Sequence, residues 1–96
     1  MPYQKEPIMK LKARHILVAH EYEAKDLLKK IQEGKSFEEL ARDYSQCSSA
    51  SQGGNLGEFS KGMMVEPFEK ALLLLKPEEV SGVVKTQFGF HLIQRL

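Results

Sequence analysis

From Lys10 onward apolar and polar residues alternate, with Leu11, Ala13, His15, Leu17 and Ala19 on one face of an extended segment and Ile16 and Val18 on the other. A period of two predicts a β-strand, and apolar residues on both faces of its second half predict a central strand covered on both sides. The period then changes. Ala24, Leu27, Leu28 and Ile31 fall at i, i+3, i+4 and i+7, which predicts a helix over 23–33 stopped by Gly34. Ser36, followed three residues later by Glu39, reads as a capping box: the Ser36 hydroxyl accepts from the Glu39 amide, and the carboxylate reaches back. Phe37, Leu40, Ala41 and Tyr44 repeat the helical stripe, so two short helices joined by Gly34 and Lys35 are expected to pack as an antiparallel pair.

Residues 45–55 break both periods. They hold four serines, two glycines and Cys47, the composition of a loop, and loops on a rigid scaffold often carry function. Leu56-Gly57-Glu58-Phe59 reads as a short strand, Lys61-Gly62 as a turn, and Pro67 as the first residue of a third helix. That helix is expected to run to about Leu75, before Lys76-Pro77. Residues 80–86 and 90–96 read as two strands around a compact turn at Gln87-Phe88-Gly89. The order β-α-α-(loop)-β-α-β-β lacks repeating βαβ units. The expected fold class is therefore α+β, a four-stranded, mostly antiparallel sheet surrounded by three to four helices.

Length and composition narrow this further. A chain of 96 residues that is 42% hydrophobic supports one modest core. Pro2 and Pro7 make residues 1–9 an irregular lead-in, leaving 10–96 as a single domain. A formal charge of +1 creates no strong field, so no specific nucleic-acid partner is expected, and Lys5, Lys10, Lys12 and Arg14 read as a solvated strand face. No apolar run approaches a membrane span, and the longest, residues 71–75, reads as core helix. One cysteine cannot form an internal disulfide and no signal-type apolar stretch precedes the fold, which suits a cytoplasmic setting. Nothing in the pattern requires a dimer, and a monomer is expected.

Two polar rings interrupt apolar strands at opposite ends of the chain, His15 and His91. A polar group in a packed layer needs a partner. Their placement suggests that the first and last strands meet at one site. The bland reading is a pair of satisfied interior residues.

At this point separated motifs become specific. Cys47-Ser48-Ser49, Gly53-Gly54-Asn55-Leu56-Gly57-Glu58-Phe59, Gly62-Met63-Met64-Val65-Glu66-Pro67-Phe68-Glu69 and Thr86-Gln87-Phe88-Gly89-Phe90-His91 stand in the order found in parvulin-type peptidyl-prolyl cis/trans isomerases, and His15-Ile16-Leu17-Val18 resembles that family's first strand. The resemblance covers residues 11–96. It implies a prolyl pocket lined by Leu56, Met64 and Phe68 and bordered by Phe88. It also implies a polar set of His15, Cys47, Thr86 and His91, and an expected activity of rotating X–Pro bonds in peptides and folding proteins without a cofactor. Gln46 stands where some members carry an acid, so any role for that acid is absent.

The rotation is slow because amide resonance sets a barrier of about 18–20 kcal/mol. The twisted amide is less charge-separated than the planar one, so a dry pocket favours it, and a thousandfold acceleration needs only about 4 kcal/mol. In this reading His15 and His91 hydrogen-bond one another, Thr86 fixes the tautomer, and the pair organises the face more than it transfers protons. A covalent role for Cys47 ranks below electrostatic influence on the substrate carbonyl, because an isomerase gains nothing from an adduct that hydrolyses and relatives with aspartate there would be poor nucleophiles. Zinc held by Cys47, His15 and His91 lacks the local ligand pairs of structural sites, and no metal is expected. Members that prefer phosphorylated Ser/Thr before proline carry basic residues after the first strand. Here that stretch is Ala19-His20-Glu21-Tyr22-Glu23, so no phosphate dependence and an apolar residue before proline are expected. Expected partners are proline-containing peptides and unfolded or partly folded clients. The alternative is a chaperone-like module that holds such segments without turnover, and an exported setting follows if the chain is a fragment of a larger secreted folding factor.

Overall fold

The computed structural model describes residues 10–96 and places in chain order β1 (Lys10–Val18), α1 (Glu21–Gln32), α2 (Phe37–Tyr44), a 3-10 turn (Ser48–Gln52), β2 (Asn55–Ser60), α3 (Glu66–Leu73), β3 (Val84–Thr86) and β4 (Gly89–Arg95). The lead-in over 1–9 lies outside the described residues. The strands form one sheet in the order β2-β1-β4-β3, and every neighbouring pair is antiparallel. The first and last strands are thus the two central ones.

Alternation along β1 explains the layering. Leu11 and Ala13 point to one side, where they meet Phe59, Phe68, Leu72 and Ile93 beneath α3. Ile16 and Val18 point to the other and join Ala24, Leu27, Phe37, Leu40, Ala41 and Leu92 beneath α1 and α2. Burying side chains of this size stabilises by about 1.5–3 kcal/mol each before the entropy of ordering them is subtracted. The register places His15 opposite Ile93 and Leu17 opposite His91, so both imidazoles share the α3 side of the sheet, one diagonal step apart.

Helix ends follow the local chemistry with one exchange of roles. Glu39 N–H donates to Ser36 Oγ at 3.3 Å, as expected. The returning carboxylate is found instead at α1, where Glu23 accepts from His20 N–H at 3.1 Å. Helix α1 begins two residues earlier than expected, because Glu21 and the exposed Tyr22 fill its first turn without facing the core. Tyr44 is also no core residue: it is exposed, with the Lys30 ammonium 5.3 Å above its ring.

Three expected boundaries are corrected. The loop over 45–55 contains the 3-10 turn at Ser48–Gln52. Helix α3 starts at Glu66, with Pro67 inside its first turn, and ends at Leu73; Leu74 is 85% exposed rather than part of a buried run. The strand expected over 80–86 is confined to Val84–Thr86. Val80 makes only an isolated bridge to Gln94, and Ser81 takes over the next pairing, its N–H donating to Ile93 O (2.7 Å) and its Oγ accepting from Ile93 N–H (3.0 Å). A hydroxyl standing in for a backbone carbonyl, followed by Gly82, keeps the chain off the regular ladder until Val84. Of the basic residues read as a solvated face, Lys10 and Lys12 are exposed, whereas Arg14 is half-buried and pairs with Glu38 at 3.3 Å and Gln94 at 3.2 Å.

Candidate active site

A cleft of about 390 Å³ opens on the α3 side of the sheet. His15 and Leu17 from β1 and His91 from β4 form its back, Cys47 and Leu56 flank it, and Met63, Met64 and Val65 come from the turn before α3. Phe68 lies along the floor and Phe88 stands at the mouth, 61% exposed. Seven of the eight residues singled out from the sequence therefore line one cavity. Thr86 does not; it sits behind His91.

The polar back wall is a chain of three groups. His15 Nδ1 and His91 Nδ1 are 3.1 Å apart, and His91 Nε2 is 2.7 Å from Thr86 Oγ1. Thr86 Oγ1 also accepts from the Phe88 N–H at 3.1 Å, so its own proton is free to go to His91 Nε2. His91 then carries its proton on Nδ1 and donates to His15, whose Nε2 is buried with no partner among the described residues. Phe68 meets both imidazoles edge-on, its centroid 5.5 Å from each, at interplanar angles of 75° and 85°. A hydrophobic ring thus seals the side of a hydrogen-bonded pair.

This environment keeps both histidines neutral. Burial pushes His15 down to about 4, with the neighbouring His91 acting in the same direction, and burial lowers His91 as well. The sign for stability follows. A folded value below the unfolded 6.5 means that the fold favours the neutral ring, so the full contribution is present above pH 6.5 and is lost as pH falls towards 4. We expect unfolding free energy in urea to fall by about 3 kcal/mol across that interval through His15, His91 adding in the same direction. A flat profile between pH 6.5 and 5, above the carboxylate range, would contradict neutral burial.

Cys47 precedes the 3-10 turn, half-buried and unoxidised. Burial raises its thiol pKa, but the polar groups of Ser49 and Ser48 beside it outweigh that, and the group ends below its ordinary value. No side-chain cap bond closes on the sulfur, and the Ser49 hydroxyl is buried without a partner among the described residues.

Leu17, Met63 and Val65 were not picked out as site residues. Leu17 was legible as the next residue on the face of His15. Met63 and Val65 carried no periodic signal, because they belong to a turn whose only pattern is its position before a helix.

Comparison with known proteins places this geometry. The family model described as Rotamase, PPIC-type PPIASE domain, matches residues 9–96. Foldase protein PrsA of Bacillus subtilis is 52% identical over 87 residues, covering 90% of this chain and 30% of that protein, so the chain spans less than a third of that curated relative. Among solved structures, PrsA from Bacillus anthracis superposes with a TM-score of 0.88 at 45% identity, covering 90% of this chain and 40% of the other. NmPin, the parvulin of Nitrosopumilus maritimus, superposes with a TM-score of 0.82 at 46% identity, covering 95% of this chain and 99% of its own. The back-to-back histidines, the cleft and the matched length together make this chain a member of the parvulin-type, PPIC-type peptidyl-prolyl cis/trans isomerase domains.

Proposed function

We propose that the domain accelerates X–Pro rotation by taking the prolyl ring and its preceding amide out of water, over Phe68 and between Leu56 and Met64, without dependence on phosphate. The observation that carries this is the lining itself: apart from His15, His91 and Cys47 it is apolar, and both imidazoles are held neutral. Solvent stabilises the charge-separated planar amide more than the twisted one, so an apolar enclosure lowers the barrier without any bond being broken. His15, His91 and Thr86 act as organisers that keep the back wall rigid, and Cys47 contributes partial negative charge beside the position of the substrate carbonyl. Foldase and chaperone relatives support partly folded proteins as the clients.

Phosphate independence is supported by charge. Among the described residues that line the cleft there is no lysine or arginine. The link from β1 to α1 is Ala19-His20, and Glu21 and Glu23 follow at once in the first turn of the helix. A phosphoserine before proline would meet carboxylates rather than a guanidinium fork. In an NMR exchange assay, Leu-Pro and Ala-Pro peptides are expected to turn over at least about tenfold faster than a phosphoserine-proline peptide, a difference of about 1.4 kcal/mol in barrier. Fastest turnover of the phosphopeptide would refute the reading, and binding of all three without exchange would assign the domain to holding clients instead.

A further inference from the structure

We propose that Glu69 is a positioning residue that fixes the methionine wall of the cleft against its phenylalanine floor. The inference rests on the prolyl-pocket reading above and names what sets the shape of that pocket. The turn between β2 and α3 contributes Met63, Met64 and Val65 to the lining; Met64 and Val65 pack against the core beneath α3, while the Gly62-Met63 end has few contacts of its own. Met63 is 70% exposed, and Gly62 sits at φ +95°, a left-handed bend beyond the end of β2 at Ser60. Within the turn itself the bonds are weak: Met63 N–H donates to Ser60 O at 3.2 Å, and Ser60 N–H to the Met63 thioether at 3.4 Å.

The strong contact comes from the helix. The Glu69 carboxylate accepts from the Gly62 N–H, seven residues back along the chain. Hydrogen bonds to an ionised acceptor are about twice as strong as neutral ones. Glu69 is also free for this task. Its neighbour on the helix, Glu66, is taken by Lys70 at 2.9 Å, whereas Glu69 joins no ion pair among the described residues. Because Glu69 directly follows Phe68, the brace ties the turn that carries the wall to the residue that forms the floor. Opening of that turn would swing Met63 and Met64 away from a bound prolyl ring while leaving the imidazole pair untouched.

A second role is available to this side chain: an acid in the first turn of α3 also suits the helix dipole. The two roles separate in Glu69→Gln, which loses the charge but keeps a carbonyl oxygen that can accept from Gly62, and in Glu69→Ala, which loses both. The brace predicts that Glu69→Ala raises KM for a Leu-Pro peptide by about five- to tenfold with kcat within about twofold, and that Glu69→Gln, which keeps a neutral acceptor, restores part of the loss. It also predicts faster amide exchange at Gly62 in the alanine variant, with protection partly restored by glutamine. Equal defects in both variants, an unchanged KM in Glu69→Ala, or unaltered Gly62 exchange would each overturn it. Affinity for the same peptide, followed by NMR shifts, keeps the test separate from catalysis: weaker binding in Glu69→Ala supports the brace even if the wild-type domain proved to bind without turnover.

Discussion

Phe68→Leu is expected to leave the domain folded while lowering kcat/KM at least about tenfold, and Phe68→Ala to bring the fold to the edge of stability. Phe68 is 3% exposed and belongs to the cluster of Leu11, Ala13, Phe59, Leu72 and Ile93 that holds α3 to the sheet. Truncating such a ring costs about 3–5 kcal/mol, against a total of about 5–15 kcal/mol for a typical domain, and a domain this small sits at the lower end. Leucine keeps most of the volume and spares the fold. It does not keep the flat edge that meets both imidazoles at 5.5 Å. With that edge gone, water reaches the floor of the cleft and again favours the planar amide, which is the loss of rate expected. Thermal melts beside an exchange assay separate the two effects. Wild-type turnover by a folded Phe68→Leu variant would show that the floor is mere packing and that the barrier is lowered elsewhere.

How far the sequence alone reached depends on whether a residue belongs to something periodic. Leu11, Ala13, Ile16 and Val18 revealed a two-sided central strand because burial there repeats every second residue, and one step of slippage would have turned His15 to the wrong layer. The same regularity marked Phe37, Leu40 and Ala41. It failed at Tyr44, whose ring lies under Lys30 in solvent, because helical spacing identifies a face but not where the face runs out. It failed again at Ser81, where a side-chain hydroxyl replaces a ladder bond and no propensity announces the exchange. The site divided in the same way. The histidines were legible as polar residues inside apolar strands, whereas Cys47, Leu56, Met64, Phe68 and Phe88 came from resemblance. The brace from Glu69 to Gly62 was not legible: it joins a helical carboxylate to a turn amide, and only the backbone path brings them together.

The other large effect expected is at Gly54, where alanine should cost on the order of 3–4 kcal/mol and displace His15 as well. Gly54 has φ +83°, and a Cβ built there would lie 2.3 Å from the His15 carbonyl oxygen, 3.2 Å from its nitrogen and 3.1 Å from the Ala41 methyl. The first of these is backbone and has nowhere to go: β1 is held on its other side by β4, and His15 N–H already donates to Gly54 O at 2.9 Å. This close approach coincides with the irregularity in the β1–β2 ladder, which pairs Lys12 with Glu58 and then Arg14 with Asn55. A methyl group must therefore push the two strands apart at the residue that carries the buried imidazole, and a displacement near 1 Å in a positioned group can cost about a hundredfold in rate. Gly57 supplies the control. It has a similar φ of +71° but nothing within 4 Å of a built Cβ, so Gly57→Ala bears only the backbone strain, about 1–2 kcal/mol. Urea unfolding of the two variants side by side isolates the steric part. If Gly54→Ala were no less stable than Gly57→Ala, the loop would have room to yield, and the position of His15 would not depend on the closeness of that glycine.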